Sequence, residues 1–305
     1  MKSYIYSALS RFSPKWMTLN KFAPEFLELA RARDITPKTL GSIERYTRTI
    51  CQEIGEMPMC MVKPVHISRI VRAVWSAGHE SAARSVLLVA RAIFTEALHS
   101  GVIDINPAKA VPPTPLHVKR SRIPLELWLK MLEIAERKAQ PWVPHMLRLA
   151  IVSAARRGDL RKMRFDDVWD NLLHIETEKT GIRIALPLDL RLDAVNLRLG
   201  DVIEGCAKYG SSGATLLRRD FDGKALDKTS LSGRFRDTLL RACGGKWEGK
   251  GNPPSLHECR SLAERLYRQQ GINTQILLGH KRQTMTDQYN DARGLDAHQW
   301  KVLQI

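Results

Sequence analysis

The sequence is poor in the residues that build disulfide or zinc frameworks. Five cysteines are spread over 305 residues, and no two of them form a Cys-x-x-Cys pair. An odd, scattered set of this kind is typical of a reducing compartment and argues against a zinc site. The nine histidines also lack the HExxH or HxxxH spacing of metal ligands. We therefore expect no metal ion and no cofactor.

Long apolar runs are also lacking. No stretch approaches the roughly 18 consecutive apolar residues that indicate a membrane span. The N-terminus, MKSYIYSALSRFSPKWM, has no apolar core followed by a small-residue cleavage site. We expect a cytoplasmic protein without a membrane partner. Apolar residues at 44% and charged residues at 26% are typical of a globular protein with a packed core, and this length predicts about two domains.

Negative charge is in short supply. The chain has 48 Lys and Arg against 32 Asp and Glu, a formal net charge of +16. Such an excess favours a polyanionic partner, with nucleic acid first, over the alternative of a basic enzyme that never meets one. The segments 1–17 and 113–124 each hold three basic residues and no acidic one. We interpret the first segment as a basic tail.

Residues 18–112 show apolar side chains at helical spacing and predict a small helical bundle. Thr36 followed by Pro37 is a typical helix start, and that helix should run to about Ile54. Two further amphipathic helices should end at Gly78 and Gly101.

Residues 113–124 contain three prolines and no helical periodicity, which predicts an extended linker between domains. Its cations, Lys119, Arg120 and Arg122, are candidate contacts to DNA phosphates, and the alternative is a solvated connector. Residues 125–305 form a mixed second domain. Alternating apolar residues on both sides of the turn 178–181 predict a β-hairpin. Helices are predicted at 125–138, 142–155, 189–208, 229–242 and 259–270.

Two adjacent arginines, Arg156 and Arg157, follow the apolar helix predicted for 142–155. A cation at the end of a buried helix needs an anion, because an unpaired buried charge is costly. The anion is either a ligand or a nearby carboxylate in a structural salt bridge. The candidate carboxylates are those of Asp159, Asp166 and Asp167.

Three further places in the second domain carry candidate reactive groups. Lys179 lies at the hairpin tip, and His257 and Arg260 share one helix face at a spacing of three. His280 follows a glycine, and Tyr289 lies nine residues further on. Taken singly, each has an ordinary explanation, since a turn lysine is usually solvated and a lone His or Tyr usually packs in a core.

Together these residues supply two guanidinium groups, two imidazoles, an amine and a phenol, without a carboxylate cluster for Mg²⁺. That set suits phosphoryl transfer without a metal ion. The guanidinium groups bind non-bridging oxygens and stabilise the transition-state charge. Tyr289 is the candidate covalent nucleophile, and Lys179 is the candidate general acid toward the leaving oxygen.

The order Arg, Lys, His-x-x-Arg, Gly-His, Tyr resembles that of the tyrosine recombinases, also called the phage integrase family. Three segments carry the resemblance: VSAARRGDLRKMRFDDV, IETEKTGIRIALPL and HECRSLAERLYRQQG…LLGHKRQTMTDQYNDARG. The family motif Arg-x-Gly-Asp/Glu-Leu implies that Arg156 is the first catalytic arginine and Arg157 the variable position. It also implies that Asp159 braces the site. The remaining catalytic residues implied by the family are Lys179, His257, Arg260, His280 and Tyr289.

The resemblance implies a mainly α fold, in which a helical core-binding domain and an α+β catalytic domain with a small antiparallel sheet form a C-shaped DNA clamp. It implies a site-specific recombinase that integrates and excises a phage or mobile element through a 3′-phosphotyrosine. It further implies that the partner is double-stranded DNA at core-type sites and that the protein forms a homotetramer on two such sites. It also implies that the protein acts in the cytoplasm of a bacterial host, with an accessory DNA-bending protein or an excision factor.

Several alternatives share these features. A resolvase or invertase and a type IB topoisomerase use the same chemistry, and a decayed prophage remnant would only bind DNA. Some phage members of the family carry a further N-terminal domain, for which the 17 residues before the first bundle are too few. We expect that domain to be missing. We expect the residues after Tyr289 to dock on a neighbouring protomer, or else on their own domain.

Overall fold

The computed structural model describes residues 16–117 and 120–290. The chain divides into two compact units, residues 1–118 and 119–305, and each unit has its own hydrophobic core. This division falls within the predicted linker 113–124. Most of the predicted basic tail, and the segment predicted to dock on a neighbour, lie outside the described residues.

The described part of the first unit is helical, as predicted. Its second helix begins at the predicted cap, where the Thr36 hydroxyl accepts a hydrogen bond from the Thr39 amide at 3.3 Å and Pro37 takes the first helical position. Gly78 and Gly101 follow the third and fourth helices with φ of 84° and 70°, left-handed values that favour glycine. The helices are α1 (Leu19–Arg31), α2 (Pro37–Ile54), α3 (Pro64–Ser76) and α4 (Glu80–His99), with a 3-10 turn at Met59–Met61.

The core of the first unit forms around α4. The buried side chains Leu87 and Phe94 of this helix belong to one cluster with Phe22 and Phe26 of α1 and Ile50 of α2. All five are exposed by 1% or less. The predicted bundle therefore buries its apolar stripes against one another rather than against a sheet.

The second unit combines eight α-helices with two small sheets in residues 120–290. Helix α6 lies at its centre, and nine of its eleven residues are buried, as expected for a helix that is apolar all round. The helices are α5 (Leu125–Lys138), α6 (Trp142–Val152), α7 (Arg157–Leu160), α8 (Leu199–Lys208), α9 (Lys228–Ala242), α10 (His257–Gln269), α11 (Thr274–Leu277) and α12 (Gln283–Asp287).

The predicted hairpin is confirmed. Strands β1 (Val168–Trp169), β2 (Leu172–Glu176) and β3 (Arg183–Pro187) form an antiparallel sheet in that order. Ile175 lies opposite Ile184, and Gly181 in the turn has a φ of 63°. The predicted mainly α fold with a small antiparallel sheet is confirmed.

The predicted helix 189–208 is wrong over its first half. Residues Arg191–Leu192 (β4) pair antiparallel with Leu197–Arg198 (β5), and the helix begins only at Leu199. Asn196, at the turn between these strands, has a φ of 51°, which a helix cannot contain. The apolar residues Leu192 and Leu197 lie opposite each other in this pair of strands instead of along one face of a helix.

None of the helices in residues 16–117 and 120–290 is long and apolar enough to cross a lipid bilayer.

Arg218 is a fully buried cation that is bonded to backbone carbonyls at the end of α8. Its guanidinium donates to the carbonyls of Cys206 at 2.7 Å, Tyr209 at 2.9 Å and Ser211 at 2.7 Å. The last carbonyls of a helix have no partner within the helix. Arg218 therefore caps α8 and fastens the chain that follows it.

Replacing Arg218 by Leu should lower the free energy of unfolding by about 3 kcal/mol or more, because several buried carbonyls lose their donor at once. Urea denaturation measures this loss. The matched control is Arg219→Leu, since the Arg219 side chain is 39% exposed and pairs with Asp222. That change should cost less than about 1 kcal/mol. Equal losses for the two variants would show that the bonds of Arg218 to the carbonyls do not stabilise the fold.

Candidate active site

The turn after α6 positions Arg156. The predicted helix 142–155 ends early, at Val152, because Ala154 adopts a φ of 51°. A left-handed conformation is costly for a residue with a Cβ and is typical of functional sites. This turn redirects the chain so that Arg156 precedes the short helix α7. Nη1 of Arg156 is buried and has no hydrogen-bond partner among the residues that the structure describes.

The guanidinium of Arg260 lies inside the second unit. It is 2% exposed and projects from the first turn of α10. It donates to the carbonyls of Ala154 at 2.7 Å and Leu278 at 2.5 Å. Burial, and then repulsion from Arg156, lower the pKa of Arg260 to about 10, so it stays a cation at neutral pH.

His280 connects Arg260 to the segment that bears Tyr289. Its Nε2 lies 3.2 Å from Nη2 of Arg260, and its Nδ1 lies 2.9 Å from the Thr286 hydroxyl. Since a guanidinium only donates, Nε2 accepts and Nδ1 carries the proton. Burial, together with the charges of Arg260 and Arg156, lowers the pKa of His280 to about 4, which keeps this neutral tautomer at pH 7.

Gly279 lets this loop approach the hairpin. Its φ is 57°, and a Cβ at this position would lie 2.6 Å from Cδ1 of Ile184 on β3. The glycine of the Gly-His pair is therefore needed both for its backbone conformation and for close packing. The His280 side chain is thus placed by the sheet as well as by Arg260.

His257 and Tyr289 face each other across the cluster. The Tyr289 hydroxyl lies 3.3 Å from Nε2 of His257, and the Tyr289 ring centroid lies 5.5 Å from the guanidinium carbon of Arg260. Although His257 is exposed on one side, desolvation by the protein around the ring, and then the charge of Arg260, lower its pKa to about 4. A neutral imidazole can accept a proton from the phenol.

Among the predicted catalytic residues, Lys179 is the one that the structure does not bring into contact with the others. It is exposed in the hairpin turn and, within the described part of the chain, makes no hydrogen bond or ion pair to the other five. Asp159 is buried, and its Oδ1 accepts from the amide of Glu178 at 2.8 Å. The carboxylate of Asp159 therefore fixes the hairpin turn immediately before Lys179.

The adjacent arginines differ in their surroundings. Arg157 is exposed and donates to the Ser232 hydroxyl. Neither arginine forms an ion pair with the three candidate carboxylates. Asp159 accepts from the Glu178 amide, Asp166 pairs with Arg164, and Asp167 accepts from the Arg164 amide.

The three linker cations also differ. Arg120 is exposed and donates to the Ser255 hydroxyl at 2.7 Å. Arg122 is buried, and its Nη1 lies 2.9 Å from the carboxylate of Glu258, so its guanidinium is directed away from solvent. The expectation that Arg122 contacts phosphates is corrected on this ground. Lys119 lies outside the described residues.

Three residues of the cluster were not predicted from the sequence. Thr286 is fully buried and orients His280, Glu258 is a buried carboxylate beside His257, and Ala154 supplies a carbonyl to Arg260. Thr286 lies three residues before Tyr289 within the motif segment, so its position is a signal that the sequence does offer. For Glu258 and Ala154 the sequence offers no comparable signal. No group of three or more potential metal ligands occurs in residues 16–117 and 120–290.

Two models of known families match the chain. The model described as the phage integrase family matches residues 124–294, and the model described as the phage integrase central domain matches residues 19–112. Together they span both units.

A named relative and two solved structures are similar along nearly all of the chain. The integrase of Enterobacteria phage P21 is 34% identical over 300 residues, which cover 95% of this chain and 77% of that protein. A structure of a lambda integrase dimer bound to a COC' core site is 29% identical, with a TM-score of 0.85, and covers 95% of this chain and 100% of that one. A structure of a lambda integrase tetramer bound to a Holliday junction is 27% identical, with a TM-score of 0.84, and covers 99% of this chain and 83% of that one.

The order of the motifs, the clustered arginine, histidine and tyrosine side chains and these matches agree with one another. The chain belongs to the phage integrase family, the tyrosine recombinases, which break and rejoin DNA.

Proposed function

We propose that this chain is an integrase that cuts and rejoins duplex DNA to integrate and excise a phage or mobile element, with Tyr289 as its nucleophile. The observation that supports this nucleophile is the Tyr289 hydroxyl, 3.3 Å from Nε2 of a neutral His257. As the phenol oxygen attacks a phosphodiester, His257 takes its proton. The step forms a 3′-phosphotyrosine bond and releases a 5′-hydroxyl.

The scissile phosphate is proposed to lie between Arg156 and Arg260. Nη1 of Arg156 and Nε of Arg260 are buried donors without a partner in residues 16–117 and 120–290. Buried donors normally find an acceptor, and non-bridging phosphate oxygens would supply one. Two fixed cations would then stabilise the additional negative charge of a pentavalent transition state.

The 5′-oxygen needs a proton as it leaves. Lys179 is proposed as the general acid, on the basis of its family position and of the Asp159 hydrogen bond that anchors its turn. His280 is proposed to hold Arg260 toward the phosphate, because its Nε2 accepts from that guanidinium.

The phosphotyrosine keeps the energy of the broken bond, so the 5′-hydroxyl of a partner strand can reverse the step without ATP. Exchanging two strands at two DNA sites needs four active sites. We therefore propose a homotetramer, which the likeness to a lambda integrase tetramer supports. We also propose that the protein works with an accessory DNA-bending protein or an excision factor, and that it acts in the cytoplasm of a bacterial host.

Exposed basic residues would hold the DNA. The net charge of +16 favours contact with phosphates along the duplex. Arg120 and Lys119 remain the proposed linker contacts, whereas the buried Arg122 is not among them. Binding to double-stranded DNA at a core-type site is proposed on the likeness to lambda integrase bound to a core site.

A resolvase or invertase would use the same chemistry on different sites, and a topoisomerase would not exchange strands. Relatives named as integrases favour integration over both. A remnant that only binds DNA is disfavoured, because every catalytic position of the family is filled.

Tyr289→Phe should abolish covalent adducts and leave DNA affinity nearly unchanged, because the ring is kept and only the attacking oxygen is lost. A nicked suicide substrate carrying the junction of the element traps the adduct. Denaturing gels detect it, and mobility shifts measure the affinity. If an adduct persists at the same level in this variant, another residue is the nucleophile.

Arg156→Ala should slow cleavage strongly, because removal of a transition-state donor costs roughly 3 kcal/mol, or more than a hundredfold in rate. Arg157→Ala is the matched control and should change affinity at most, because its side chain is exposed. Single-turnover cleavage rates compare the two variants. The opposite ranking would place the catalytic arginine one residue later.

His257 and His280 should both be neutral in the free protein at pH 6, because each titrates near pH 4 rather than at its ordinary 6.5. A lowered histidine pKa means that the unfolded chain binds more protons, so stability should fall as the pH drops from 6.5 toward 4. NMR titration of the imidazole protons, with signals assigned through His257→Asn and His280→Asn, measures both midpoints. Midpoints above pH 6 would contradict the desolvated, cation-rich cluster.

A further inference from the structure

We propose that Arg122 is a positioning residue that sets the Tyr289 hydroxyl against His257, an inference that rests on the proposed role of Tyr289 as the nucleophile. Arg122 is 2% exposed. It belongs to the short stretch that enters the second unit before α5. Its guanidinium joins α10 to the backbone next to Tyr289.

The bonds of Arg122 reach both sides of the reacting pair. Nη1 lies 2.9 Å from Oε2 of Glu258, the residue that follows His257, and also donates to the Ser261 hydroxyl. Nη2 donates to the carbonyl of Gln288, the residue that precedes Tyr289, at 2.5 Å. One rigid, planar group therefore links two side chains of α10, the helix that carries His257, to the backbone next to Tyr289.

The segment that bears Tyr289 has few other attachments in the described part of the chain. Helix α12 is five residues long, and Asp287, Gln288 and Asn290 are exposed. Thr286 is buried against His280, and Asp287 forms a 3.3 Å ion pair with the partly exposed Arg268. The bond from Arg122 is a further attachment, and it acts on the carbonyl immediately before the nucleophile.

The stretch that carries Arg122 is itself held on both sides. The Ser121 amide donates to the carbonyl of Asn252 at 3.1 Å, and Arg265 donates to the carbonyl of Ile123 at 3.0 Å. The backbone at Arg122 is therefore held in place by hydrogen bonds on both sides of the residue. A buried ion pair adds little net stability to the fold but can specify one arrangement of the groups around it. Here the pair of Arg122 with Glu258 holds the guanidinium where it reaches the carbonyl of Gln288.

Lysine could not reproduce this arrangement. Its single ammonium can pair with Glu258, but it lacks the planar fork that reaches Gln288 at the same time. Misplacing a reacting group by about 1 Å can cost about a hundredfold in rate. We therefore expect Arg122→Lys to lower the single-turnover cleavage rate by about 10- to 100-fold, with DNA affinity and thermal midpoint close to those of the parent.

Hydrogen exchange distinguishes positioning from general weakening of the fold. In the free Arg122→Lys protein, amides of the segment 283–290 should exchange faster, while those of 258–266 in α10 keep their rates. Arg241→Lys is the matched control, because it changes an arginine that donates to a backbone carbonyl of the same unit, that of Lys138, and that does not contact the Arg122 stretch or the segment 283–290 in the described part of the chain. It should leave both the cleavage rate and the exchange of 283–290 unchanged.

A second variant avoids leaving a buried charge without a well-placed partner, which could lower stability by itself. Arg122→Met with Glu258→Gln removes both charges together and should give the same local exchange and the same slow cleavage. Equal cleavage rates in the parent and both variants, or faster exchange across α10 as well, would overturn the proposal. So would failure of both variants to fold. Because hydrogen exchange is measured without DNA cleavage, it tests the role of Arg122 even if Tyr289→Phe shows that another residue is the nucleophile.

Discussion

The guanidinium of Arg260 joins α10 to two other stretches of chain, one at residue 154 and one at 278–280, that are far apart in the sequence. It donates to the carbonyl of Ala154 at the end of α6, to the carbonyl of Leu278 after α11, and to Nε2 of His280. The ring of Tyr289 lies beside it. Because a buried cation must keep its hydrogen-bond partners, none of these stretches can shift alone without leaving a charge unsolvated. The geometry of the cluster follows from that constraint.

Three buried arginines of the second unit show how the surroundings decide the use of one side chain. Arg218 is bonded to backbone carbonyls and caps a helix, and Arg122 is paired with the carboxylate of Glu258. Arg260 forms no ion pair among the described residues, and it lies close enough to Arg156 for repulsion to lower its pKa. Of these three arginines, Arg260 alone has a buried donor, Nε, without a partner in the described part of the chain, and we propose that this donor serves the scissile phosphate. The neighbouring imidazoles are neutral at pH 7, so each has a ring nitrogen that can accept a proton or a hydrogen bond beside the guanidinium groups.

Local signals in the sequence predicted much of the fold and of the cluster. The Thr36 cap, the helix ends at glycines and the hairpin depend on contacts within a few residues. The register around Arg156 depends on a compact motif. Long-range packing decided the rest. The segment 189–208 has apolar residues that fit a helix or two short strands, and Arg122 looks like a surface cation until Glu258 is placed beside it. The sequence also grouped Lys179 with the cluster, whereas in the structure its turn is anchored by Asp159 and the lysine faces solvent.

The central claim is that Tyr289 alone, without a metal ion, forms the covalent bond to DNA. The most direct test incubates the full chain with a suicide substrate in EDTA, digests the adduct with trypsin and maps it by mass spectrometry. The account predicts a 3′-linked oligonucleotide on the peptide 283–293, with fragment ions that place it on Tyr289, and a free 5′-hydroxyl on the released strand. An adduct on another residue, or cleavage that appears only when Mg²⁺ is restored, would contradict it.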